Sequence, residues 1–172
     1  MLDAFRDLIL TRRYANIRVG DIVRRANVGR STFYEHFRDK DDLLCESISG
    51  LLAIMADIFS DRYDMKRLCF VMDHFRENSR LARGMFNGPS APQFVHVLAN
   101  LIEEHLATTC PRKGLTPSIP LEIIAFQAAE TMLGLVRAWL QKGISCSAAV
   151  IAAAMHKSAT AAVNVLLLPA RQ

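Results

Sequence analysis

Ile22-Val23-Arg24-Arg25-Ala26-Asn27-Val28-Gly29-Arg30-Ser31-Thr32-Phe33-Tyr34-Glu35-His36-Phe37-Arg38-Asp39-Lys40-Asp41-Asp42-Leu43-Leu44 reads as two short helices set at an angle, with a third, long helix following at once. Ile22, Val23, Ala26, Val28, Phe33 and Phe37 are spaced so that they meet inside a small three-helix core. Left outside are Arg24, Arg25, Arg30, Ser31, Thr32, Tyr34, His36 and Lys40, nearly all hydrogen-bond donors. A compact helical unit with a donor-rich outer face suits a DNA major groove in both shape and chemistry. The break between the helices has its own chemistry. Asn27 tolerates the left-handed conformation and Gly29 is an acceptable N-cap. Asp39 is a good N-cap for the third of these helices, and Asp41 and Asp42 suit the positive end of its dipole.

The charge distribution points the same way. The chain has 172 residues, 51% of them hydrophobic, and a formal net charge of +4. Between residues 12 and 40, Arg12, Arg13, Arg18, Arg24, Arg25, Arg30, Arg38 and Lys40 face only Asp21, Glu35 and Asp39. Acidic groups slightly outnumber basic ones elsewhere, so the basic excess lies wholly in this segment.

Every long segment has a helical period, and no convincing alternating strand is visible. Helices are expected over about 2–12, 19–26, 30–37 and 40–61, then 65–78, 80–87, 91–109, 120–142 and 147–167. Gly88-Pro89, Pro92, the 111–120 loop and Gly143 as a C-cap punctuate them. The fold class is therefore all-α: an N-terminal three-helix helix-turn-helix unit over 1–46, joined to a larger C-terminal helical unit over 47–172. Segment 148–168 is Ala- and Leu-rich but holds a central Lys157, costing about 2.5–3.5 kcal/mol in a bilayer, and reads as a buried helix with no membrane role. Cys45, Cys69, Cys110 and Cys146 are isolated, lack metal-ligand spacing, and read as buried reduced thiols of a cytoplasmic protein. No cofactor and no metal are implied.

From Val28 to Leu44 the chain resembles the TetR/AcrR family of bacterial regulators, through Thr32, Phe33, Tyr34, His36, Phe37, Lys40 and Leu43 at the family's spacing. Val19, Asp21, Ile22 and Ala26 match upstream, and Trp139-Leu140 with Gly143 resembles the end of the penultimate helix in some members. The chain departs from the pattern at Arg13 and Asn27, where the family usually has Gly, and at Arg18, where it usually has Thr. The resemblance implies that the 30–37 helix enters the major groove, with Arg30, Ser31 and Thr32 in its first turn at base edges. Tyr34, His36 and Lys40 would contact phosphates, and Arg18 would add one more.

In this family the C-terminal unit usually encloses a small-molecule effector site. Phe70, His74, Phe75, Met85, Phe86, Phe94, Phe126 and Glu130 are candidates to line a mostly apolar pocket, against the plain alternative of core packing. The last two helices are apolar on more than one face and rich in small residues, which calls for cover from a second copy. Leu133, Arg137, Trp139, Ala152, Ala159 and Leu166 are the interface candidates. The expected whole is a homodimeric, cytoplasmic repressor of a near-palindromic double-stranded DNA operator, released by a small effector. A helical protein–protein adaptor using the basic face, or a regulator with no effector, remain alternatives. No catalytic residues are expected: no paired Glu-x-x-His, HExxH or phosphate-binding Gly loop is present.

Overall fold

The structure, a computed structural model, describes residues 1–141 and 144–169; the expected Gly143 cap lies outside them. The chain divides into two compact units, Met1–Gly50 and Leu51–Gln172.

The first unit holds α1 (Leu2–Thr11), a 3-10 turn at Tyr14–Asn16, α2 (Val19–Ala26), α3 (Arg30–His36) and the start of α4 (Lys40–Ala56). Phe5, Leu8, Ile17, Ile22, Val23, Phe33, Leu43, Leu44 and Ile48 are buried. Ala26, Val28 and Phe37 are only partly buried. That turn is built as its chemistry demands. Asn27 takes the left-handed conformation (φ 53°), while Val28 N–H closes on Val23 O at 3.0 Å and Asn27 N–H on Arg24 O at 3.3 Å. This 6→1 and 5→2 pair is a Schellman stop. Asp39 Oδ1 accepts from the N–H groups of Asp41 and Asp42, both at 2.8 Å, and so caps α4.

In the second unit α4 ends at Ala56 and a 3-10 turn spans Asp57–Phe59, which cuts short the helix expected to reach residue 61. The reason is Asp57, a buried carboxylate. It accepts from Arg67 at 3.3 Å and Ser60 Oγ at 3.3 Å, with Arg62 Nε and His105 Nε2 each at 3.4 Å. Partners from three other places in the unit therefore pull the chain out of the helical path.

The unit continues with α5 (Met65–Glu77), α6 (Ser79–Phe86), α7 (Ala91–Arg112), β1 (Leu115–Pro117), α8 (Leu121–Gln141), α9 (Ala148–Leu166) and β2 (Leu167–Pro169). α8 packs chiefly on α7, and also on α9 and α6; α5 packs on α9. α7 outruns its expected end near residue 109. Pro111 sits in its last turn, where it forfeits a single hydrogen bond, and Lys113 N–H closes on Thr109 O at 3.1 Å. β1 and β2 pair antiparallel, Thr116 opposite Leu168, a pairing that three-residue strands could not announce by alternation. α8 and α9 are long and apolar enough to span a membrane by length and composition alone. Half of the most apolar window of α8 is buried in this chain, against 28% for α9, so α9 is not the covered helix expected from its composition.

Candidate nucleic-acid interface

α3 is oriented by one residue. Phe33 is fully buried, and with it anchored, Arg30, Ser31, Tyr34 and His36 are exposed and Thr32 is half-exposed. Tyr34 is 58% exposed, its ring standing edge-on to Phe33 at 5.3 Å between centroids. Its hydroxyl thus points away from the core while the ring is held. The Ser31 and Thr32 hydroxyls curl back toward Gly29, where an added Cβ would lie 3.4 and 3.8 Å from their oxygens. These groups sit together at the start of α3, the end that meets base edges in helix-turn-helix readers.

Arg30 has a seat that the sequence reading missed. A Cβ placed on Gly20, in the first turn of α2, would lie 3.2 Å from Arg30 Nη2. The guanidinium therefore rests against bare α2 backbone. A glycine inside a short helix costs roughly 1 kcal/mol relative to alanine, and that cost was the available signal.

Arg18 precedes α2 with an exposed side chain, while its backbone N–H donates to Asp21 Oδ2 at 3.1 Å. Asp21 thereby supplies the cap that Arg18 itself cannot. Arg38 donates to Asp42 through its backbone N–H at 3.1 Å and its guanidinium at 3.4 Å. The backbone N–H of Arg38 foremost holds the Asp42 carboxyl below its ordinary value.

Lys40 is placed differently from the phosphate role that the resemblance implies. Its Nζ donates to Tyr14 O at 3.2 Å and Ile17 O at 3.1 Å, and lies 4.3 Å above the centre of the Tyr14 ring. The ammonium is turned inward, tying α4 to the 3-10 turn that precedes α2. Tyr14 also donates its hydroxyl to Asp41.

The residues expected to line an effector pocket are divided between buried and exposed positions. Phe75, Phe86 and Phe94 are buried edge-to-face, with centroids 5.1 and 5.7 Å apart, and Met85 is buried near them in sequence. They are part of the core of the unit. Phe70 and Phe126 are exposed, His74 stacks on Phe70 at 6.4 Å, and Glu130 pairs with Arg137 at 2.8 Å.

Four interface candidates are likewise spent inside the protomer. Leu133, Trp139, Ala152 and Ala159 are buried, and Trp139 Nε1 donates to Cys146 O at 3.3 Å. These four side chains are therefore packed within the unit and not on its outer surface. Arg137 and Leu166 remain partly exposed. None of the cysteines is in a disulfide, but only Cys45 and Cys110 are buried; Cys69 and Cys146 are partly exposed.

Comparison with known proteins agrees with this geometry. Residues 1–46 match the family described as bacterial regulatory proteins, tetR family. Over 55 residues the chain is 38% identical to the uncharacterized HTH-type transcriptional regulator YxbF of Bacillus subtilis (strain 168), covering 31% of this chain and 14% of that protein. Over 84 residues it is 30% identical to the HTH-type dhaKLM operon transcriptional activator DhaS of Lactococcus lactis subsp. lactis (strain IL1403), covering 48% and 45%. Both matches thus span less than half of the relative's length. In fold, the chain is similar to Thermus thermophilus FadR, a TetR-family transcriptional repressor solved with lauroyl-CoA, at 18% identity and a TM-score of 0.61 over 92% of this chain and 91% of that one. Residues 1–46 are thus similar to the DNA-binding domain of bacterial regulatory proteins of the tetR family, and the chain as a whole shares its fold with a regulator of that family.

Proposed function

We propose that the chain is a sequence-specific repressor, cytoplasmic and homodimeric, that binds a near-palindromic operator through its 1–46 domain. A small molecule held by the 47–172 domain would release it. The observation that carries this reading is the face of α3, where burial of Phe33 leaves Arg30, Ser31, Thr32, Tyr34 and His36 outermost. Arg30, Ser31 and Thr32 are assigned to base edges, and Tyr34, His36 and Arg18 to phosphates. Lys40 is assigned to holding the unit together, with one N–H left for a phosphate.

Dimerisation is supported by what α8 and α9 leave uncovered. Ile123 and Phe126 on α8 are exposed, and Val150 and Val165 on α9 are 55% and 78% exposed. These replace the buried four as interface residues. A second copy would cover them, as a two-fold helical interface requires, and two readers would then sit about 34–36 Å apart. An adaptor role for the basic face is the competing reading, and salt separates the two, since phosphate binding weakens steeply with salt.

The test is selection from random duplex DNA at two salt concentrations, with the wild type and Tyr34→Ala. Enrichment of a near-palindrome, weakened by salt and lost in the variant, is expected. A folded protein that enriches nothing would refute the reading. Val150→Asp with Val165→Asp is expected to sediment as a monomer, and an unchanged dimer would move the interface elsewhere.

A further inference from the structure

Where the last turns of α5 and α6 meet the end of α8 and the start of α9, the second unit has a cleft of about 570 Å³. This lies within the size range of small-molecule sites. Its wall is chemically one-sided. Arg76 and Arg83 supply guanidinium groups, Ser79, Ser145 and Ser147 supply hydroxyls, and no carboxylate is among the described lining residues. The remaining wall is apolar, made largely by Trp139, Leu140 and Ile144.

Neither arginine is used up. Arg83 spends one N–H on Leu140 O at 3.4 Å, which leaves four of its five donors. Arg76 pairs through Nη2 with Asp73 Oδ1 at 2.6 Å, which offsets part of its charge and leaves its other N–H groups as donors, while Asp73 itself is outside the lining. The positive end of the 19-residue helix α9 opens at the same place, with Ser147 as its N-cap accepting from Val150 N–H. Trp139 is fixed by its bond to Cys146 O, so the flat apolar wall is held still beside the charges.

Two planar cations beside a rigid aromatic wall select a ligand with two parts. We propose that this cleft binds an amphipathic anion, with a carboxylate or phosphate head on Arg76 and Arg83 and an apolar body against Trp139, Leu140 and Ile144. This gives the effector of the preceding section a chemical class and rests on that reading for its regulatory meaning. It places the effector at residues of the same unit other than Phe75, Phe86 and Phe94.

The test is calorimetric titration of the full chain with octanoate, octyl phosphate, 1-octanol and inorganic phosphate. Arg76→Gln, Arg83→Gln and their double variant are titrated too. Arg80→Gln, an exposed arginine outside the lining, is the control. Saturable binding of octanoate or octyl phosphate is expected, and the tighter of the two identifies the head group. The double variant should weaken it at least tenfold, and Arg80→Gln should leave it within twofold. Cys146 lines the cleft, so ligand should also slow its alkylation in the wild type, a readout that needs no variant to fold.

Equal affinity for 1-octanol would overturn the anionic half of the proposal, and equal affinity for inorganic phosphate the apolar half. No saturation by any probe at millimolar concentration, or no slowing of Cys146 alkylation, would overturn the whole. DNA binding is measured in parallel. Anion binding that leaves DNA affinity unchanged refutes only the regulatory meaning, and absence of DNA binding refutes the preceding section while leaving this one standing.

Discussion

Lys40→Ala separates two roles for a lysine that the family resemblance places at the DNA backbone. In the structure its ammonium donates to two backbone carbonyls, Tyr14 O and Ile17 O, and lies over the Tyr14 ring. Hydrogen bonds from a charged donor contribute about 1.5–3 kcal/mol each. With the side chain only half-buried, the lower value applies, giving roughly 3 kcal/mol for the pair. The ring contact adds about 0.5–1 kcal/mol, and fixing a lysine side chain costs about 1.5–2 kcal/mol. The net loss on truncation is therefore about 2 kcal/mol, or roughly 4–8 °C in the melting temperature of a chain of this size. The assay is thermal unfolding of the full chain, with hydrogen exchange of the α2 and α3 amides assigning the change to the Met1–Gly50 unit. Faster exchange there and a lower melting point are expected, with weaker DNA binding following from the loosened unit. Tyr34→Ala should weaken DNA binding at unchanged stability. If Lys40→Ala melts like the wild type and only flattens the salt dependence of DNA binding, Lys40 is a phosphate contact and the reasoning fails.

Arg30→Ala should relax base preference at one step of the selected site by about 1–3 kcal/mol, read as a flattened position in the selected sequence; an unchanged motif would remove Arg30 from base readout. Asp57→Ala strips a buried carboxylate from Arg67, Ser60 and their neighbours. Both arginines can turn to water, so the cost should be about 1–3 kcal/mol, below that of a fully buried pair; a wild-type melting point would refute this. Burial foremost, then Asp42, Asp41 and Asp39, push the Cys45 thiol up to about 11. The folded state therefore keeps a proton that the unfolded state loses near pH 9, so this contribution is complete below that pH and is lost as pH rises toward 11. At pH 8, iodoacetamide should modify Cys69 and Cys146 and spare Cys45, and equal rates at Cys45 and Cys69 would contradict the burial argument.

What could be read from the chain alone divides by the range of the interactions involved. The limits of α2 and the turn after it are local chemistry: Asn27 in the left-handed conformation and the closures onto Val23 and Arg24 lie within six residues. The Asp39 cap is equally local. By contrast, the end of α4 depends on Arg67 and His105 reaching Asp57 from 10 and 48 residues away, and β1 finds β2 across some 50 residues. No window along the sequence contains either fact. In the candidate site, identities were legible while directions were not. Phe33 inward and Tyr34 outward follow from helical periodicity, but Lys40 turns inward because carbonyls 23 and 26 residues earlier wait for it. The aromatic residues show the same limit. Phe75, Phe86 and Phe94 have the composition of a pocket wall, and only their edge-to-face closure makes them a core.

Charge counting from the sequence overstates the cationic face, and the structure shows by how much. Arg25 is tied to Asp7 at 2.7 Å and Arg38 to Asp42 at 3.4 Å. Arg12 and Arg24 share Asp21 at 3.8 and 3.9 Å, and Lys40 is turned inward. Exposed pairs of this kind contribute at most about 1 kcal/mol, so they do little for stability, yet each carboxylate offsets a charge that would otherwise attract phosphate. Among the described residues between 12 and 40, Arg13, Arg18 and Arg30 are left with no ion pair. Counterion release scales with the phosphates neutralised, at about 0.9 per contact, so Arg13 and Arg18, with Arg30 assigned to base edges, give a shallower salt dependence than the eight basic groups suggest. A reader with little sequence-independent attraction must draw more of its affinity from base edges. In the proposed reading, the pairing of Arg12, Arg24, Arg25 and Arg38 lowers binding to every sequence alike, and discrimination is left to base-edge contacts such as the one assigned to Arg30, seated on Gly20.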